Sequence, residues 1–176
     1  KKIKFFKNDL TDHQKIASIL KKHNIEFVIH LAGLKAVSES ILNPHKYFFN
    51  NSFGTLQLLK AMENSKTKKI IYSSSATVYG GVNKNPIQEN GKLKPINPYG
   101  TSKLISEKMI IDYSKNIKNF QYFILRYFNP LGYHKSGLLS QDNSKDNLIP
   151  NILKSIKKKR LFQYMEKITK LKMEQQ

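Results

Sequence analysis

The chain has 176 residues and carries 31 Lys and Arg against 12 Asp and Glu, a formal net charge of +19. Arg126 and Arg160 are its only arginines, and the rest of the positive charge is lysine scattered among asparagines. Arginine is the residue that reads phosphates and base edges bidentately, so this composition argues against sequence-specific nucleic-acid binding and leaves weak, salt-sensitive polyanion attraction as a non-enzymatic alternative. The absence of cysteine excludes disulfides and thiolate metal sites, and 39% hydrophobic residues with 10 phenylalanines and 9 tyrosines exclude global disorder.

Lys4-Phe5-Phe6-Lys7 reads as a short strand leading to Asp9 and Leu10. Thr11-Asp12-His13-Gln14 has the spacing of a capping box, and Ile16, Ala17, Ile19 and Leu20 form one apolar face, which predicts a helix from Asp12 to His23. The continuous run Phe27 to Ala32 predicts a strand buried on both faces that stops at Gly33. Asn43-Pro44 opens a helix, with Tyr47, Phe48, Phe53, Leu56, Leu59 and Met62 expected to face the core. A strand over Lys69 to Tyr72 runs into Ser73-Ser74-Ser75. Pro98 begins a helix spanning Tyr99 to Tyr113, a strand follows from Phe120 to Tyr127, and a last helix starts at Asn147. The dense run Lys157-Lys158-Lys159-Arg160 reads as a solvated helix end.

Strands alternating with helices over short connections imply parallel pairing and right-handed crossovers. The predicted fold is α/β, a partial Rossmann-like doubly wound parallel sheet with helices on both faces. Ligands of such sheets sit beyond the carboxyl ends of the strands, where Asp9, Gly33, Lys35, Ser75 and Asn129 all fall. Tyr99 and Lys103, four apart on one helix, share a face. A cation beside a phenol favours the phenolate, so the pair reads either as a proton acceptor or as a surface tyrosine with a solvated lysine.

Leu31-Ala32-Gly33-Leu34-Lys35-Ala36-Val37, Ser73-Ser74-Ser75-Ala76-Thr77-Val78-Tyr79-Gly80, Pro98-Tyr99-Gly100-Thr101-Ser102-Lys103 and Leu125-Arg126-Tyr127-Phe128-Asn129-Pro130 together resemble the UDP-glucose 4-epimerase family of extended short-chain dehydrogenase/reductases. The resemblance runs from Asp9 to about Arg160. It implies epimerisation of UDP-glucose and UDP-galactose through transient oxidation at C4 with tightly held NAD, in galactose metabolism and in the cytoplasm.

By the same resemblance, Tyr99 takes the proton of the sugar 4-hydroxyl, Lys103 holds the nicotinamide ribose and keeps the phenol acidic, and Ser75 bonds the same hydroxyl. Asp9 and Leu10 match adenine contacts, Leu31, Ala32, Gly33 and Lys35 the loop along the NAD phosphates, and Asn50 and Phe128 further cofactor contacts. Tyr127, Asn129, Asn147 and Leu148 match nucleotide-sugar contacts, and no metal is implied. A homodimer is expected through the helices over residues 43–62 and 99–113. Related 4,6-dehydratases carry an Asp-Glu pair after the serine motif, because eliminating water needs an added acid and base. Ala76-Thr77 stands there, which ranks an epimerase above a dehydratase and keeps another UDP-sugar epimerase in view.

The family's opening strand, Gly-rich loop and second strand are not among these residues, so the sequence reads as a piece of a longer protein, with residues 1–160 a partial NAD-binding domain. Residues 161–176 resemble nothing in the family. Back-translated with AT-rich codons and read two bases later, they yield a stretch like the family's continuation, so a frameshift near Phe162 is expected; an amphipathic tail is the plain alternative. An inactive relic is the remaining non-enzymatic reading. No apolar run reaches the length of a membrane span, and no signal-peptide pattern precedes the first strand. Without a phosphate loop at a helix amino terminus, the 176-residue chain is expected to show no micromolar affinity for NAD in calorimetry.

Overall fold

A computed structural model describes residues 3–81, 84–130, 132, 135–136 and 148–157. Asp12 caps the first helix, α1 (His13–Lys22), by accepting the Lys15 amide at 3.1 Å. Thr11, expected to be the cap, gives its amide and hydroxyl to Asp9 at 2.8 and 2.6 Å. With Thr11 drawn back by the carboxylate before it, the capping role passes to the carboxylate after it. Residues 4–7, expected as a strand, pair with nothing, because no described segment offers them a ladder.

β1 (Phe27–His30) ends two residues short of the expected Ala32. A helix the sequence pattern did not reveal, α2 (Val37–Leu42), follows the Gly33 loop. From Pro44 the chain stays helical to Ser65 as α3 (Pro44–Tyr47), a π-helical segment (Phe48–Phe53) and α4 (Gly54–Ser65). Tyr47, Leu59 and Met62 are buried as expected, whereas Phe53 and Leu56 are exposed. The inner face is made instead by small residues, Ser52, Gly54 and Thr55, because neighbouring chain comes too close for large ones. A Cβ on Gly54 would lie 3.1 Å from Leu10, and the Ser52 hydroxyl reaches the Ser102 carbonyl at 3.1 Å.

β2 (Lys69–Ser75) ends in a 3₁₀ turn (Ala76–Tyr79). α5 (Pro98–Asn116) starts where Asn97 accepts the Gly100 amide at 2.8 Å, with Pro98 in the first turn where its missing N–H costs nothing. β3 (Gln121–Tyr127) completes a parallel sheet of order β1-β2-β3, in which Ile29, Ile71 and Phe123 lie side by side. Residues up to Phe128 form one compact unit. Those from Asn129, with α6 (Leu148–Lys157), form a second. The tail at 161–176 lies outside the described residues.

Alternation along the strands sends Ile70 and Tyr72 into a core with Ala17, Leu20, Leu58, Leu59, Met62 and Ile110. The residues between them face the other way, and there Phe27, Ile29, Phe123 and Leu125 are 53, 55, 68 and 41% exposed. Among the described residues the helices therefore cover one face of the sheet rather than the expected two, and β1 is an edge strand with one bare side. Ile70→Ala is expected to cost about 2–5 kcal/mol in urea unfolding, and Phe123→Ser only about 0.5 kcal/mol or less.

Candidate active site

All three strands point the same way, so the loop after β1, the turn after β2 and the segment after β3 emerge at one end of the sheet. Gly33 turns the first of these loops at φ +155°, and a Cβ there would lie 3.0 Å from Asn51 Oδ1 and 3.5 Å from Lys103 Nζ. Asn51, in the π-helical segment, holds this loop by accepting the Leu34 amide at 2.8 Å and donating to the Leu34 carbonyl at 3.1 Å. Its amide nitrogen also donates to Ser102 Oγ at 3.0 Å, and Ser102 donates to the Tyr99 carbonyl at 2.7 Å. One buried side chain thus fixes the glycine loop against the first turn of α5.

Ser75, Tyr99 and Lys103 are all buried, and they meet at that turn. Thr77 donates to Ser75 Oγ from its hydroxyl at 3.0 Å and from its amide at 3.3 Å. Ser75 lies beside the Tyr99 phenol and favours its ionised form. Burial raises the phenol above the ordinary tyrosine range, while Ser75 and the Lys35 charge pull it down. Lys103 shares the Tyr99 face as the spacing predicts. Its ammonium donates to the Ser73 carbonyl at 2.8 Å and stands 6.0 Å from the Tyr99 ring centre. Desolvation lowers Lys103 to about 8, so it is still mostly an ammonium at pH 7.

A family model described as GDP-mannose 4,6 dehydratase matches residues 1–169. The chain belongs to that family. It is 45% identical over 153 residues to UDP-glucose 4-epimerase of Bacillus subtilis (strain 168), covering 87% of this chain and 44% of the relative. The crystal structure of UDP-glucose 4-epimerase from Bifidobacterium longum in complex with NAD+ and UDP superposes with a TM-score of 0.77 at 45% identity, over 81% of this chain and 43% of that one. The structure of a UDP-Glc/GlcNAc 4-epimerase from Campylobacter jejuni gives 0.75 at 34% identity, over 90% and 48%. The chain therefore spans somewhat under half the length of these relatives, and it shares their α/β, Rossmann-like parallel sheet.

The other residues that the family resemblance singled out are placed unevenly. Leu31, Ala32, Gly33 and Lys35 lie exposed along the loop over Lys103, and Tyr127, the last residue of β3, and Phe128 just after it are exposed. Asp9 is exposed, with its carboxylate engaged by Thr11, and Leu10 packs at the edge of the helical core. Asn50 is exposed and turns its amide to the Lys46 carbonyl at 2.8 Å, so its neighbour Asn51 is the residue that grips the glycine loop. Asn129 and Leu148 belong to the second unit, and Asn147 lies outside the described residues. A cavity of about 540 Å³ runs along β3 beside Tyr79, Arg126, Tyr127 and Phe128, and Ser75, Tyr99 and Lys103 do not line it.

Sequence reasoning missed the polar interior that supports these residues. Glu107, buried on α5, receives the Ser74 hydroxyl and the Arg126 guanidinium, the latter at 2.8 and 3.1 Å, which ties both β2 and β3 to α5. Arg126 also donates to the Tyr79 hydroxyl at 2.8 Å. His30 donates from Nε2 to Thr55 Oγ1 at 3.0 Å, since the Thr55 proton is committed to the Asn51 carbonyl at 2.6 Å. The only signal for these residues in the sequence was a polar residue within an apolar strand or helix face.

Burial, with a smaller push from Lys103, lowers His30 to about 4. The unfolded chain binds its proton near 6.5, so between pH 4 and 6.5 unfolding takes up a proton and stability falls as pH falls. The expected loss across that window is about 3 kcal/mol. Urea midpoints from pH 7 down to 4 check it, with His30→Gln expected to flatten the dependence.

Proposed function

We propose that the protein containing this chain is a UDP-glucose 4-epimerase, interconverting UDP-glucose and UDP-galactose with NAD. The observation that carries this reading is a serine, a tyrosine and a lysine from β2 and α5 meeting under a glycine loop, in a chain whose relatives bear that name.

Fit to a dinucleotide is supported by Gly33. Its backbone is exposed in a conformation that favours glycine, and a Cβ would press on Asn51. Leu31, Ala32, Gly33 and Lys35 would run along the phosphates, Lys103 would hold the ribose, and Asp9, Leu10, Asn50 and Phe128 would add contacts. When bound, NAD supplies the acceptor and donor of hydride at the sugar C4.

Tyr99 does the proton chemistry. As the phenolate its oxygen takes the proton of the substrate 4-hydroxyl, as the phenol it later returns it, and Ser75 beside that oxygen would stabilise the phenolate before uptake and after return. The burial that raises the phenol also strengthens it as a base once it is ionised, and it keeps water from the proton being moved. Lys35, and Lys103 when it turns from Ser73 toward a ligand, favour the phenolate. Tyr127, Asn129, Asn147 and Leu148 are assigned to the nucleotide sugar.

A dehydratase is the second reading, favoured by the description of the matching family model. Ala76 and Thr77, which follow Ser75, supply neither the acid nor the base that loss of water requires. The outer stripe Phe49, Phe53 and Leu56, with Ile105 on α5, supports a homodimer through the two expected helices. A place in galactose metabolism follows from the proposed reaction, a cytoplasmic one accords with a chain free of cysteine, and no described helix is long and apolar enough to cross a membrane.

The test is interconversion of UDP-galactose and UDP-glucose by the full-length protein. Tyr99→Phe is expected to lower kcat by about 10²–10⁴. A variant that keeps most of its rate would refute the assignment of the proton acceptor.

A further inference from the structure

Tyr47 and Glu39 have no part in the chemistry above, yet Tyr47 touches its centre and Glu39 holds Tyr47. Tyr47, the last residue of α3, is fully buried, and its ring meets that of Tyr99 edge to face, with centroids 6.3 Å apart and planes at 80°. Its hydroxyl donates to Glu39 Oε2 at 2.8 Å, and Glu39 Oε1 takes the Lys46 ammonium at 2.6 Å. The bonds from Lys46 and Tyr47 hold the Glu39 carboxyl below its usual range, so it is an anion at neutral pH. Glu39 belongs to α2, the helix that leaves the glycine loop, so the clamp joins that loop's helix to the ring behind Tyr99.

A phenol turns about two torsions, and packing at its ring decides where the oxygen points. Ser75 stands beside the Tyr99 phenol and favours its ionised form, and the Tyr47 ring stands against the body of the side chain. The Tyr47 ring cannot itself turn while its hydroxyl is held by a carboxylate that a lysine also engages. We propose that Tyr47, clamped by Glu39, is a positioning residue that keeps the Tyr99 phenol directed at Ser75. The proposal rests on the reading of Tyr99 as proton acceptor, and it assigns this clamp a part in that step.

The test is a titration of Tyr99 in the 176-residue chain carrying tyrosine labelled with ¹³C at Cζ, its resonance identified by its loss in Tyr99→Phe. In the parent chain, Ser75→Ala removes a donor to the phenolate and is expected to raise the Tyr99 pKa. In Tyr47→Leu and in Glu39→Leu the same substitution is expected to shift it less or not at all, because the phenol no longer faces Ser75. Tyr47→Phe, which keeps the ring and loses the clamp, is expected to fall between.

An equal Ser75→Ala shift in every background overturns the proposal. Should Tyr47→Leu fail to fold by circular dichroism, Glu39→Leu, at a partly exposed position, carries the comparison by itself. In the full-length protein Glu39→Leu is expected to lower kcat roughly tenfold with KM little changed, the rate equivalent of one aromatic contact. The titration needs no turnover, so the two ideas fail separately. A fully active Tyr99→Phe sinks the proton acceptor and leaves the coupling standing, while an inactive Tyr99→Phe with no coupling sinks only the clamp.

Discussion

The site depends on the amide of Asn51. Its oxygen and nitrogen hold both backbone groups of Leu34, and the same nitrogen reaches Ser102 in the first turn of α5. A glycine loop has little to fix it from within, since glycine restricts its own torsions least of all residues. Here it is held from outside, by a fully buried side chain whose own carbonyl is engaged by Thr55 and Ser106. Where the loop lies decides where Lys103 can reach, and α5 carries Lys103 and Tyr99 together.

The interior behind the site is polar. Ser74, Glu107 and Arg126 link β2, α5 and β3, and His30 and Thr55 link β1 to α4. Buried polar groups are costly unless they are satisfied, and a satisfied network admits few alternative arrangements. The glutamate and arginine pair contributes more to the register of the helix on the sheet than to net stability, because desolvation offsets much of its attraction. That register sets the distance from Ser75, on the sheet, to Tyr99, on the helix. Shielding also gives the three titratable groups near the loop their character: a histidine kept neutral, a lysine nearer to neutrality than in water, and a phenol harder to ionise.

The opposite face of the sheet is apolar and bare among the described residues, and the chain covers somewhat under half of its relatives. These facts bear on how the parallel sheet was read. Parallel strands were expected to be buried on both sides, and the residues of β1 and β3 have the composition for it. Composition states what a strand is suited to, and only the packed chain shows which side is covered.

Much of the site was legible because motif residues sit at strand ends and helix starts, which local signals mark well. Asn97 and Pro98 announce α5, the i, i+4 spacing aligns Tyr99 with Lys103, and Ser75 closes an apolar run. What stayed hidden were pairings between residues distant in sequence: Asn51 with Leu34, Glu39 with Tyr47, and Tyr47 with Tyr99. Side-chain size misled at Phe53 and Leu56, because close helix contacts select small residues. The amino-acid order by itself determined β1, β2, β3 and the helices other than α2, and it nominated the residues for the chemistry, since those follow from periodicity, capping and motif spacing along a few turns of chain. The tertiary structure alone decided that Lys103 spends its hydrogen bond on Ser73 and that the phenol is harder rather than easier to ionise. Desolvation and hydrogen-bond geometry are properties of a packed site, and no stretch of sequence carries them.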